Sequence, residues 1–239
     1  MWRNKKVSVI FPTYNEKDSI KQAIEDFFAS GFVDEIIVVN NNAVEGTDEE
    51  VRKTKARLIY EKKQGYGFAI QKGLEEATGD LLIISEPDGT FEGKDVIKLL
   101  AYSDDFDYVL GTRTTKELIW EGANMNFFLK WGNWAVAKFM EFLYNTTTLT
   151  DMGCTMRLIK RHLYEKIKNY FTVGREHFGP EMTLLVIKTG TKFIEIPVNY
   201  KPRVGKSSVT GSMRKAFFLG MKMIGLILQY KFKRIKFKQ

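Results

Sequence analysis

Glu86 and Asp88 stand one residue apart in the stretch LLIISEPDGTF, residues 81–91. Leu81 to Ser85 reads as a buried parallel strand, and Glu86-Pro87-Asp88-Gly89-Thr90 as the turn that breaks it. In an open α/β sheet, ligands bind at the C-terminal edge of the strands. Two carboxylates beside a glycine turn at that edge are hard oxygen ligands, suited to Mg²⁺ or Mn²⁺ holding a diphosphate. An acidic turn that merely closes a strand is the plainer explanation, because these residue types favour turns anyway. The company the pair keeps favours the chemical one.

Several elements must position that turn. Val7–Phe11 reads as a strand stopped by Pro12, with a helix over Glu16–Ala29. Further strands are expected at Glu35–Val39, Ala56–Tyr60, Asp107–Gly111 and Phe193–Pro197, and helices at Phe68–Ala77, Leu158–Ile167 and Glu181–Thr189. Strands and helices alternating in this way predict an α/β fold with a mainly parallel, doubly wound sheet. The loop Pro12–Glu16 has no glycine, and Gly65-x-Gly67 lacks a third, so neither is a dinucleotide fingerprint.

The 239 residues, 44% of them hydrophobic, suffice for one sizeable core. A single cysteine excludes an internal disulfide, and two histidines leave no zinc or Ser/His/Asp pattern. Thr13–Glu16 ends the first apolar run too early for a signal sequence, and a cytoplasmic setting is expected. The net charge of +8 is uneven: residues 196–239 hold eleven Lys/Arg and no acid, leaving 26 basic against 29 acidic side chains before them. Such a basic segment calls for an anionic partner. The aromatics, interleaved with aliphatics at helical spacing, argue against nucleic acid. Ala216–Leu228 is too short to cross a bilayer, which takes about 20 residues. Lys215, Lys222 and Gln229 share one face of that helix, opposite Phe217, Met221, Ile224 and Leu228. An amphipathic helix ending in KFKRIKFK suits peripheral attachment to an anionic membrane surface, and docking on the chain's own core or on a partner is the alternative. The aromatic span Leu118–Tyr144 reads either as helix-core packing or as surface that meets lipid.

Taken in order, VSVIFPTYNE, EIIVVNNNAVEGT, QGYGFAIQKGLEEATGD, LLIISEPDGTF, VLGTR, TDMGCTMRLIKR and EIPVNYKPRVGKSS make the chain similar to family 2 glycosyltransferases of the GT-A fold, in the dolichol-phosphate mannose or glucose synthase-like branch. The resemblance, over most of residues 5–208, implies a catalytic domain spanning 1–211, and the charge and amphipathic pattern mark 212–239 as a membrane-associating tail. It implies that Pro12, Tyr14, Glu16, Gln64 and Gly65 help hold a GDP- or UDP-linked sugar, with Asn40 and Asn41 near the base or ribose in place of the family's usual aspartates. It sets Glu86 and Asp88 at the metal position, Asp88 more directly, and surrounds the phosphates with Arg113, Arg157, Arg203 and Lys206. Asp151 is the general-base candidate that it singles out. The implied reaction is an inverting, metal-dependent transfer to a polyprenyl phosphate on the cytoplasmic face of a membrane. Transfer to a hydroxyl of a growing glycan, or a catalytically silent nucleotide-sugar-binding subunit, are the alternatives, and a homo-oligomer is left open.

Overall fold

The computed structural model describes residues 1–123, 127–205 and 213–237. In chain order the elements are β1 (Val7–Thr13), α1 (Lys17–Ala29), β2 (Glu35–Asn40), α2 (Thr47–Arg52), β3 (Arg57–Tyr60), α3 (Tyr66–Glu76), β4 (Leu81–Ile84) and α4 (Val96–Tyr102). They continue with β5 (Tyr108–Thr112), α5 (Phe127–Tyr144), β6 (Arg157–Lys160), α6 (Arg161–Ile167), α7 (Phe178–Thr189), β7 (Phe193–Pro197) and α8 (Met213–Phe232). The seven strands form one sheet in the order β3-β2-β1-β4-β6-β5-β7. Only β6 runs antiparallel to its neighbours.

The two-residue period of the strands divides the core between the faces of the sheet. Val7, Val9 and Phe11 turn toward α1 and α4, joined by Ile36, Val38, Leu81 and Ile83. Ile10, Ile37, Val39, Leu82 and Ile84 turn the other way, onto α3, α5, α7 and α8. The result is a sheet between two helical layers.

β1 does not stop at Pro12: it runs on to Thr13, with Pro12 opposite Val39 of β2. Ile10 accepts from Ser85 and Thr13 from Asn41, so alternate residues address β4 and β2. Pro12 belongs to the β4 side, where that strand has already ended, and its missing donor breaks no rung.

The helix expected over Leu158–Ile167 is half strand. Residues 157–160 pair with both β4 and β5, and α6 follows without an intervening turn. A four-residue strand with two adjacent apolar residues fits either period, and long-range pairing decides. Because β6 runs backward, the residues that precede it, Thr150–Met156, arrive at the edge where the parallel strands end.

The boundary expected at 211/212 lies outside the described residues. Beyond it, α8 shares the main core. Met223, Leu226, Ile227 and Tyr230 are buried against α5 and α7. The Tyr230 hydroxyl donates to the buried Glu181 carboxylate at 2.6 Å, and the Tyr144 hydroxyl to the Ile227 carbonyl at 2.9 Å. The face buried here is not the stripe expected from the sequence. Ile224 is half-buried, but Phe217, Met221 and Leu228 are exposed, so α8 carries one apolar face for the core and leaves another uncovered.

Candidate active site

The parallel strands end around a cavity of about 780 Å³ lined by Pro12, Tyr14, Glu16, Asn41, Gln64, Gly65, Glu86, Arg113 and Arg203. The loop after β1 is wound on Glu16, whose Oε2 accepts the N–H groups of Tyr14 and Asn15 at 2.7 and 2.8 Å. After β4, Asp88 is 1% exposed. Its Oδ1 accepts from the N–H and hydroxyl of Thr90 at 2.9 and 2.5 Å. Its Oδ2 is buried without a hydrogen bond, in ion-pair contact with the Arg203 guanidinium. Arg203 also meets Glu86 Oε2 at 2.9 Å and lies 3.8 Å from Glu16 Oε1. Burial, and then the Asp88 charge beside it, push the Glu86 carboxyl up to about 8.

A divalent metal fits this donor set. Asp88 Oδ2 is a buried, hard carboxylate oxygen with no hydrogen bond to give up, the kind of donor Mg²⁺ or Mn²⁺ takes. Among the described residues no three His, Cys, Asp or Glu side chains converge as a ready-made centre. Mg²⁺ is commonly held by one or two carboxylates, with waters and phosphate oxygens completing its shell.

The sequence model of glycosyl transferase family 2 matches residues 8–168, a span that includes Glu86 and Asp88. The chain belongs to this family. A low-salt glycan biosynthesis hexosyltransferase of Haloferax volcanii is 29% identical over 85% of the chain, which spans 49% of that relative's length. A dolichyl-phosphate hexose transferase of the same organism is 27% identical, covering 85% of the chain and 86% of the relative. Among solved structures, glucosyl-3-phosphoglycerate synthase of Mycobacterium tuberculosis, crystallised with Mn²⁺, UDP and phosphoglyceric acid, superposes with a TM-score of 0.72 at 13% identity, over 98% of this chain and 81% of the other. The fold is thus GT-A.

The remaining residues singled out from the sequence take distinct places in the glycosyltransferase. Asn40 does not line the cavity; its side chain accepts from Ala43 N–H at 2.8 Å and donates to Asp48 at 2.6 Å. Asn41 lines it, but its Nδ2 donates to the carbonyls of Glu61 and Lys63, and its Oδ1 accepts from Gly65 N–H and Gln64 Nε2. The amide holds the loop rather than presenting a carboxylate-like group. Gly65 has to be glycine: φ is +153°, and a Cβ would lie 2.1 Å from the Gly174 carbonyl oxygen.

Arg157 touches the cavity wall, yet its guanidinium is taken up by Tyr108 OH, the Gly179 carbonyl and the Cys154 carbonyl. Arg113 lines the cavity over the Tyr200 ring, 4.9 Å from its centroid, and is clamped to Asp151. Asp151, the base candidate, does not line the cavity. Lys206 lies outside the described residues. Arg175 and Glu176, absent from the sequence-based set, do line it. They fall in the polar segment GREHFG just before α7, and its paired glycines were the available signal.

Opposite the polar wall, the same cavity is bounded by Phe128, Val136 and Phe139 of α5 and by Phe217, Met221 and Ile224 of α8. Phe217 is 55% and Met221 50% exposed, so these side chains face the cavity and solvent together.

Proposed function

We propose that this glycosyltransferase moves a hexose, with inversion, from a GDP- or UDP-linked donor to a polyprenyl phosphate at a membrane surface. The observation that carries this reading is that one cavity is lined both by Glu86 and Arg203 and by apolar side chains of α5 and α8. A sugar hydroxyl acceptor does not call for such an apolar lining; a prenyl chain does. The relative named as a dolichyl-phosphate hexose transferase supports the acceptor, and the structural neighbour crystallised with Mn²⁺ and UDP supports the donor class.

In this reading Tyr14, Gln64 and Gly65 form the nucleoside end, and Asp88 with Glu86 holds Mg²⁺ or Mn²⁺. The metal supplies Lewis-acid neutralisation of the departing diphosphate. Arg203 and Arg113 orient phosphate oxygens, for which planar guanidinium forks are well shaped. A phosphate acceptor is already an anion and needs no proton removed, whereas a hydroxyl does. Asp151, bound on both oxygens by Arg113, is a poor base, and that favours the anionic acceptor.

Exposed Phe127, Trp131, Phe217, Phe218 and Met221 lie on two packed helices, with exposed Arg214, Lys215 and Lys222 on α8. This apolar and basic surface suits shallow insertion into an anionic leaflet, which we place on the cytoplasmic face. Among the described residues no helix is long and apolar enough to cross a membrane.

The test incubates purified protein and Mn²⁺ or Mg²⁺ with radiolabelled nucleotide sugars and polyprenyl phosphate. Label is expected in the organic phase and lost with chelator. Transfer only to water-soluble glycans, or none with any donor, would overturn the reading.

A further inference from the structure

Arg203 occupies a position that the transfer reaction itself does not explain. Its guanidinium meets Glu86, Asp88 and Glu16, three carboxylates drawn from two strand edges. The backbone fixes it there: Val204 N–H donates to the Asp88 carbonyl and Lys201 N–H to the Thr90 carbonyl, each at 2.9 Å. Gly89, at φ +82°, turns the carboxylate loop so closely under this segment that a Cβ would stand 3.3 Å from a Val204 methyl. The arginine is therefore docked on the metal turn rather than swept across it by a free side chain.

We infer that Arg203 is the resident counter-ion of the metal seat, and that a divalent cation binds by displacing it. The inference rests on the metal-dependent reading above. Asp88 Oδ2 cannot serve the guanidinium and an inner-sphere metal at once, and two cations beside the same carboxylates repel one another. Left in place, the arginine compensates buried negative charge that would otherwise be costly in the ligand-free protein. Once displaced, its fork suits phosphate oxygens as well as it suited carboxylates. A nucleoside diphosphate thus offers the evicted arginine a new partner, and metal and nucleotide each improve the other's binding by the same factor. Arg203 is in this sense a positioning residue for the metal as well as a phosphate contact.

The experiment measures Mn²⁺ binding without nucleotide, by loss of the free-ion electron paramagnetic resonance signal. Wild type is compared with Arg203→Gln and Arg203→Lys. Arg203→Gln is expected to bind Mn²⁺ at least tenfold more tightly than wild type. Arg203→Lys, whose point charge cannot span three carboxylates, is expected between the two. In chelator Arg203→Gln should melt below wild type, with Mn²⁺ restoring more of its melting temperature than it adds to wild type. If Arg203→Gln folds only in Mn²⁺, either cation can neutralise the cluster, as inferred. If it does not fold at all, the lysine variant decides by the same comparison. Variants that bind Mn²⁺ no more tightly than wild type overturn the exchange while leaving metal-dependent transfer standing. No Mn²⁺ binding by any of the three, even with UDP or GDP added, overturns both.

Discussion

Arg113 grips both carboxylate oxygens of Asp151, Nε to Oδ2 at 2.8 Å and Nη2 to Oδ1 at 2.9 Å, and adds its own main-chain N–H at 3.0 Å. Asp151 therefore acts by holding Arg113, and the two should behave as one unit. The double variant Asp151→Asn/Arg113→Gln should lose no more kcat/KM than the worse single one, a non-additivity that a mutant cycle reads directly. Glu176→Gln should leave transfer to polyprenyl phosphate intact. Loss of the acidic limb of the pH–rate profile in either carboxylate variant would show a general base instead.

The same pair sets an acid limit on stability. Burial alone would raise the Asp151 carboxyl, but the charge and hydrogen bonds of Arg113 outweigh it and hold the group below its ordinary 3.8. A depressed folded-state value means stability that is complete above the unfolded value and is lost as pH falls through the folded one. Wild type should thus lose melting temperature steeply below about pH 4, where carboxylates protonate. Asp151→Asn, already destabilised at neutral pH, should show a shallower acid slope. Parallel slopes in thermal melts across the acid range would remove Asp151 from this account.

Asp88→Asn keeps the shape of the turn and removes a charge from the metal seat. Transfer at saturating metal should fall more than tenfold, about 1.4 kcal/mol of transition-state stabilisation. Retention of more than a tenth of wild-type turnover would take Asp88 out of the metal's ligand set.

The exposed face of α8 can be altered without touching its docked face. Phe217→Ser with Met221→Ser should change global stability by less than about 0.5 kcal/mol, as surface substitutions do. Binding to anionic vesicles should drop, and high salt should weaken what remains, since screening acts on the charge contribution. Unchanged co-sedimentation would mean that the membrane, if any, is met elsewhere.

Removing residues 213–237 should not release a soluble catalytic body. Tyr230→Phe alone strips a hydrogen bond from the buried Glu181 carboxylate, at a cost of about 1–3 kcal/mol. A melting temperature equal to wild type would show that the contact contributes nothing.

What the sequence made legible was what local pattern controls. β7 falls at Phe193–Pro197 as expected, and α1 and α7 differ from the expected spans by no more than three residues at one end. The pattern could not show which partner would absorb a polar side chain. Asn41 and Arg157 look like ligand groups by type, yet their hydrogen bonds go to carbonyls supplied by loops and helices far along the chain. α2, six residues with three acids in its first turn, was too short to register, and the tie between Glu181 and Tyr230 spans 49 residues. These are matters of tertiary pairing, invisible to periodicity.

That last tie bears on how the chain comes to be made. Glu181 accepts from Thr172 and Val173 as soon as α7 forms, but its contact with Tyr230 must wait for α8. During synthesis the sheet can therefore assemble while one side of its helical layer is still open, with the seats for Ile227 and Tyr230 facing solvent. A nascent chain that has released β7 but not yet α8 would present that unfilled groove to chaperones.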